Sequence, residues 1–157
     1  MLNEHGMTAR TSSSRRRAAG FTLIETLVAV SIAGVVASIA YPSFEAPIRK
    51  ARRSDALVAL MQLQMAEERW YSNHRRYATL DELGAAGTSA NGHYTLQVVS
   101  ADEEGFALRA VAAGSQTRDG GCRYMALSVT GANVVHASGP DAQASNPGHV
   151  NRRCWGL

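Results

Sequence analysis

The sequence predicts an α+β fold: a long, kinked N-terminal helix packed on a small antiparallel β-sheet, with a C-terminal loop closed by a disulfide. Three observations carry this. The run Phe21–Ala40 holds twenty residues and one charge, Glu25. An amphipathic helical pattern then extends to about Tyr71. Beyond Gly87 the chain breaks into short alternating stretches bounded by glycine, with two cysteines, Cys122 and Cys154, far from the apolar run. The boundaries expected from these patterns are a leader over 1–20, a transmembrane helix over 21–41, an amphipathic helix over 42–74 and a β domain over 75–157.

The leader stands apart by charge. The chain has 157 residues, 16 basic and 13 acidic. Arg10, Arg15, Arg16 and Arg17 lie in the first twenty positions against Glu4, so the rest of the chain is balanced. The high pI therefore belongs to the leader, which argues against a nucleic-acid footprint spread over the folded domain. Met1 and Met7 are both available as starts.

As a helix, Phe21–Ala40 is about 30 Å long, the thickness of a bilayer's hydrocarbon core. A carboxylate at mid-membrane costs about 2.5–3.5 kcal/mol on insertion scales. Glu25 sits one turn into the span and costs less, but it still needs a reason. The arginines flanking the run place that end in the cytoplasm and the later chain outside. An ordinary secretory signal is the competing reading, since Ala37-Ser38-Ile39-Ala40 offers small residues after the run. A plain uncleaved anchor is another.

At Gly20-Phe21-Thr22-Leu23-Ile24-Glu25 the chain resembles the type IV pilin family. A basic leader, a small Gly, an aromatic first mature residue, Thr-Leu-Ile-Glu and an apolar helix join a cut site to a buried acid at fixed spacing. The resemblance implies cleavage between Gly20 and Phe21 by a prepilin peptidase, then N-methylation of the Phe21 amine. It also implies that Glu25 serves subunit assembly. The physics agrees: in low dielectric an unpaired charge is expensive and a paired one much less so. A neighbour's amine meeting Glu25 would fix the axial register. Arg52-Arg53-Ser54-Asp55-Ala56 and Glu68-Arg69-Trp70-Tyr71-Ser72 resemble the PilE-like minor pilin branch.

Pro42 lacks the amide that would bond to the Ser38 carbonyl, so a kink is expected there. Gly34 lowers helix propensity in the same span, and the two bracket a stretch that could unwind in a fibre. Pro47 adds a second breaker. From Ile48 to Tyr71, Ala56, Leu60, Leu63 and Trp70 fall on one side, widened by Leu57, Met61 and Met65. Arg49, Lys50, Arg52, Arg53, Glu67, Glu68 and Arg69 supply the polar face. The Trp and Met side chains are expected in the core. Arg49–Arg53 is read as a solvated face near lipid headgroups or neighbouring carboxylates.

Thr79-Leu80-Asp81-Glu82 reads as a capping box opening a short helix that Gly84 and Gly87 end. His93–Val99, Phe106–Ala112, Tyr124–Val129 and Val134–His136 read as strands, joined by turns at Asp102–Gly105, Asp119–Gly121 and Gly131–Asn133. A meander packed on the outer half of the long helix is the economical arrangement. Ala137–Leu157 reads as loop. Cys122 and Cys154 are expected to close that tail. A reactive thiol pair is the alternative, but the spacing is not CxxC.

No catalytic constellation is present in the sequence. His74, His93, His136 and His149 are scattered, and no phosphate loop or nucleophile elbow occurs. No enzyme activity, cofactor or metal is expected. The resemblance implies a structural subunit of a type IV pilus, a minor pilin acting in initiation or incorporation. Its implied partners are other pilin subunits, the prepilin peptidase, an inner-membrane assembly platform and membrane lipid before assembly; nucleic acid is not expected. The implied location is the bacterial inner membrane, then the cell-surface pilus. A type II secretion pseudopilin is one alternative, although Asp141 is the only acid after Asp119, too few for a calcium site. A DNA-uptake receptor pilin is the other, on Arg152, Arg153 and Trp155.

Overall fold

The structure is a computed structural model that describes residues 20–145 and 147–156; the side chains of residues 39–43 fall outside the described set. The expected leader lies outside it, apart from Gly20. The chain divides into two compact units, Met1–Ile39 and Ala40–Leu157. One helix, α1, runs over Leu23–His74 and crosses the division. Helix is assigned through both Pro42 and Pro47. The bend expected at Pro42 falls at the division, among the residues whose side chains are not described.

In the first unit Phe21, just before α1, is 82% exposed, and Leu23, Ile24 and Val30 of α1 are exposed by more than half. Among the described residues no helical segment is long and apolar enough to cross a membrane. The expected span reaches Ala40, and the described side chains stop at Ser38 before resuming at Phe44.

The second unit is the expected meander. Four strands, β1 (Tyr94–Ala101), β2 (Gly105–Ala112), β3 (Tyr124–Thr130) and β4 (Asn133–Gly139), pair antiparallel in chain order. Leu108 sits opposite Leu127 and Ala110 opposite Met125, so the alternating side chains of neighbouring strands share one apolar face. That face closes on Ala56, Ala59, Leu60 and Leu63 of α1. The spacing of those four positions is the helical stripe that burial selects.

The stripe is narrower than expected, and this corrects two assignments. Met61 and Met65 are 51% and 57% exposed, and Trp70 is half-buried. Glu67, expected on the polar face, is fully buried instead. It continues the stripe at the next helical step after Leu63, where its Oε2 accepts the Ala78 N–H at 2.8 Å. The chain that leaves α1 at His74 folds back over that position, and a buried amide needs an acceptor.

Two further expectations change. The box at Thr79–Glu82 forms, with the Thr79 N–H donating to Glu82 Oε2 at 2.9 Å, but it opens a single turn instead of a helix. Gly84 at φ 61° ends it at once. The tail is not all loop. β4 extends to Gly139, and an eight-residue helix, α2, covers Gly148–Trp155.

Candidate assembly segment and basic groove

Thr22 stands just before α1, and with Glu25 it forms a reciprocal cap. The Thr22 N–H donates to Glu25 Oε2 at 3.4 Å, and the Glu25 N–H donates to Thr22 Oγ1 at 3.3 Å. Thr-x-x-Glu is the capping-box signature, and it sits in the sequence in plain view. The contacts are long, so the cap is loose. Glu25 is thus held at the positive end of the helix dipole, where its carboxylate is exposed and faces no cation among the described residues. Gly20 and Phe21 precede the helix and are exposed. Gly34 lies mid-helix, with open space where a Cβ would stand.

A second feature lies in Ala40–Leu157. The disulfide Cys122–Cys154 joins the segment just before β3 to α2. No side chain caps α2, whose N-cap is Pro147. Tertiary bonds hold it instead: Asn151 Nδ2 donates to the His136 carbonyl at 2.7 Å, Ser138 Oγ to Asn151 Oδ1 at 2.9 Å, and Trp155 Nε1 to the Ala137 carbonyl at 3.1 Å. His136 packs edge-on against Trp155, with ring centroids 4.5 Å apart.

So placed, α2 and α1 flank a groove of about 1030 Å³. It is lined by the apolar Ala51, Leu57 and Trp155 together with Lys50, Arg53, Arg152 and Arg153. Arg53 is committed: it pairs with Asp119 and donates from Nη1 to the Arg153 carbonyl at 2.6 Å. Its hydrogen bond to Asp119 raises its already high pKa against the opposing effect of burial. Lys50, Arg152 and Arg153 are exposed and pair with no carboxylate among the described residues. The Arg153 guanidinium rests on Gly121, where a Cβ would overlap it.

Buried polar residues brace this end. Gln116 Nε2 lies 3.0 Å from the Arg49 carbonyl and 3.0 Å from the Tyr94 hydroxyl. Burial pushes the Tyr94 phenol up to about 12, against the Gln116 bond, so it stays neutral. Asp55 accepts from Ser89 Oγ at 2.6 Å and from the Asn91 amide at 3.2 Å. Burial raises its pKa, but the bonds from Ser89, Asn91 and His93 outweigh burial and leave it below the ordinary value. The sequence singled out none of these as a pair; only Asp55 and Glu67, acids beside an apolar stripe, carried a signal. Among the described residues no group of His, Cys, Asp and Glu is placed to hold a metal.

Comparison with known proteins bears on the first feature and on the helix and sheet up to residue 126. The family model for the type IV minor pilin ComP, DNA uptake sequence receptor, matches residues 42–126. The prokaryotic N-terminal methylation motif matches residues 15–41. The chain is 33% identical over 97 residues to the type IV major pilin protein PilA of Myxococcus xanthus, covering 60% of this chain and 44% of that protein. It is 28% identical over 85 residues to the type IV major pilin protein PilE1 of Neisseria gonorrhoeae, covering 53% and 40%. The type II secretion system core protein G of Aeromonas hydrophila is 31% identical over 68 residues, covering 43% and 48%. The chain spans under half the length of each of these curated relatives.

Proposed function

From the premise that this chain belongs to the type IV pilin family, we propose that it is a minor pilin that takes part in assembling a pilus. The precursor is anchored in the inner membrane by Phe21–Ala40 with its leader in the cytoplasm. Prepilin peptidase cuts between Gly20 and Phe21, and the Phe21 amine is methylated. The assembly platform then moves the subunit into the fibre, where Glu25 meets a neighbour's amine. The observation that carries this reading is Gly20–Glu25 itself, within the matched methylation motif. The minor role rests on the ComP match over 42–126. The secretion pseudopilin alternative draws on a match to less of the chain.

The capping box supplies a sharp test. Gln serves at the third box position as well as Glu does, so Glu25→Gln keeps the cap and removes the charge. Glu25→Val removes both. Both variants should insert and be cleaved, and neither should enter fibres. A Glu25→Gln subunit that enters fibres normally would show that the cap matters and the charge does not. Quantitative mass spectrometry of purified fibres reads the copy number and the mature N-terminus. A start other than Phe21 would overturn the processing scheme.

The basic groove favours a second reading, DNA uptake, in line with the description of the matched family. Lys50, Arg152 and Arg153 offer phosphate contacts, and affinity for duplex DNA would then fall steeply with salt. Weak, salt-insensitive binding by the mature chain would retire it.

A further inference from the structure

No lysine or arginine stands between Phe21 and Ile48, and then Arg49, Lys50, Arg52 and Arg53 come almost together. With Phe21–Ala40 as the anchor and the leader inside, this cluster lies on the outer flank, the side where basic residues are ordinarily sparse. Most of the cluster is answered within the chain. Arg49 pairs with Glu45, Arg53 pairs with Asp119, and Arg52 donates to Ser115 Oγ at 2.8 Å. Lys50 pairs with no carboxylate among the described residues, nor do Arg152 and Arg153, which line the same groove from α2.

The order of side chains along the groove is informative. α1 is helical from Ala40 to Lys50, ten residues on, or about 15 Å. Phe44 and Ile48, 64% and 47% exposed, carry apolar surface toward Lys50. The headgroup layer is about 5–8 Å deep on each side of a bilayer, and a long basic side chain snorkels across what remains. Ala46 and Pro47 line the groove one turn before Lys50, on the Ala40 side, and both are exposed. Arg153 is level with Arg53, whose Nη1 donates to its carbonyl at 2.6 Å. Going outward from Ala40, apolar surface comes first and the three cations next. That is the order of acyl chain and phosphate in the outer leaflet.

We propose that this groove seats the headgroup of an anionic phospholipid while the subunit waits in the membrane. Lys50, Arg152 and Arg153 hold the phosphate, and Ala46 and Pro47 lie against the upper acyl chain. Charge-assisted hydrogen bonds from arginine suit a phosphate, and basic clusters beside an anchor recognise anionic lipid. The contact exists only in the bilayer, so it favours the waiting subunit over the extracted one. This inference rests on the reading of Phe21–Ala40 as an anchor. Duplex DNA would use the same cations but not the apolar surface before them.

The full mature chain in nanodiscs of phosphatidylcholine and phosphatidylglycerol in equal parts tests the seat, with retained lipid counted by native mass spectrometry. One phosphatidylglycerol per chain should stay bound in preference to phosphatidylcholine. Each basic side chain near an anionic surface is worth about fivefold, so Lys50→Gln/Arg152→Gln/Arg153→Gln should lower that preference by at least about tenfold. Arg69→Gln/Arg75→Gln/Arg123→Gln makes the same charge change outside the groove and should keep it. A preference that survives the first triple change, or falls equally with both, overturns the inference. So does displacement of the lipid by equimolar glycerol phosphate, since a free phosphate then suffices. Displacement by equimolar duplex DNA overturns it too, since the cations then belong to nucleic acid. A chain that stays outside nanodiscs of either lipid removes the anchor and this seat with it. A chain that inserts and retains both lipids alike removes the seat alone.

Discussion

Arg53 grips Asp119 across 66 residues of sequence, Nε to Oδ2 at 2.6 Å and Nη2 to Oδ1 at 2.8 Å. Both side chains are nearly buried, at 13% and 8% exposure. The pair ties α1 to the 3-10 turn Gly114–Arg118 that leads to Cys122.

Breaking this pair from one side strands a buried charge. Asp119→Asn should therefore destabilise the domain by about 3 kcal/mol. Replacing both partners, as Arg53→Met with Asp119→Leu, should cost clearly less than the sum of the single changes. Denaturant unfolding of the four members of the cycle checks this, and additive losses would show that the two groups are not coupled.

Glu67 makes the opposite kind of prediction. Burial raises its pKa above the ordinary 4.5, with the Ala78 amide opposing. Between the unfolded and folded values the folded state holds the extra proton, so stability falls as pH rises through that window. Glu67→Gln keeps an acceptor for Ala78 and removes the ionisation. The variant should gain on the native chain as pH climbs from about 4 to 7, and melting curves at both pH values read the difference. An equal shift at the two pH values would mean that Glu67 keeps an ordinary pKa.

What the sequence made legible followed from strong local signals. The strands alternate, their turns carry glycine and Asp, and all four lie where the pattern placed them, within two residues at most ends but longer at the C-terminus of β4. α2 left no such signal. It is short, is capped by Pro147 without a side-chain bond, and is held by Cys154 and Trp155 rather than by its own propensity. Met61 and Met65 fall outside the core because a helical stripe can be wide or narrow. Its width depends on what lies opposite, and the sheet covers only the Ala56–Leu60–Leu63 line. Glu25 is legible as an anomaly in an apolar run, and Thr22, three residues before it, is its capping partner.

The Cys122–Cys154 bridge closes a loop with a sequence separation of 32, a length worth about 3–4 kcal/mol in the chain-entropy model. Reduction should lower the melting temperature and free α2. Trp155, 5% exposed in the fold, should then report water by a red-shifted emission. Backbone exchange over Gly148–Trp155 should rise before that of β2 and β3. Uniform loss of protection would mean that the tail and the sheet unfold as one.

Arg75 closes α1 in a left-handed conformation, φ 58°, with its N–H donating to the Tyr71 carbonyl at 2.9 Å. Glycine is the residue that takes this helix-ending position without strain. Arg75→Gly should therefore stabilise the domain by about 0.5–1 kcal/mol, whereas Arg75→Ala, strained in the same way, should gain little. Both changes also remove a positive charge. A gain in stability from both would trace the effect to the lost charge and away from the backbone.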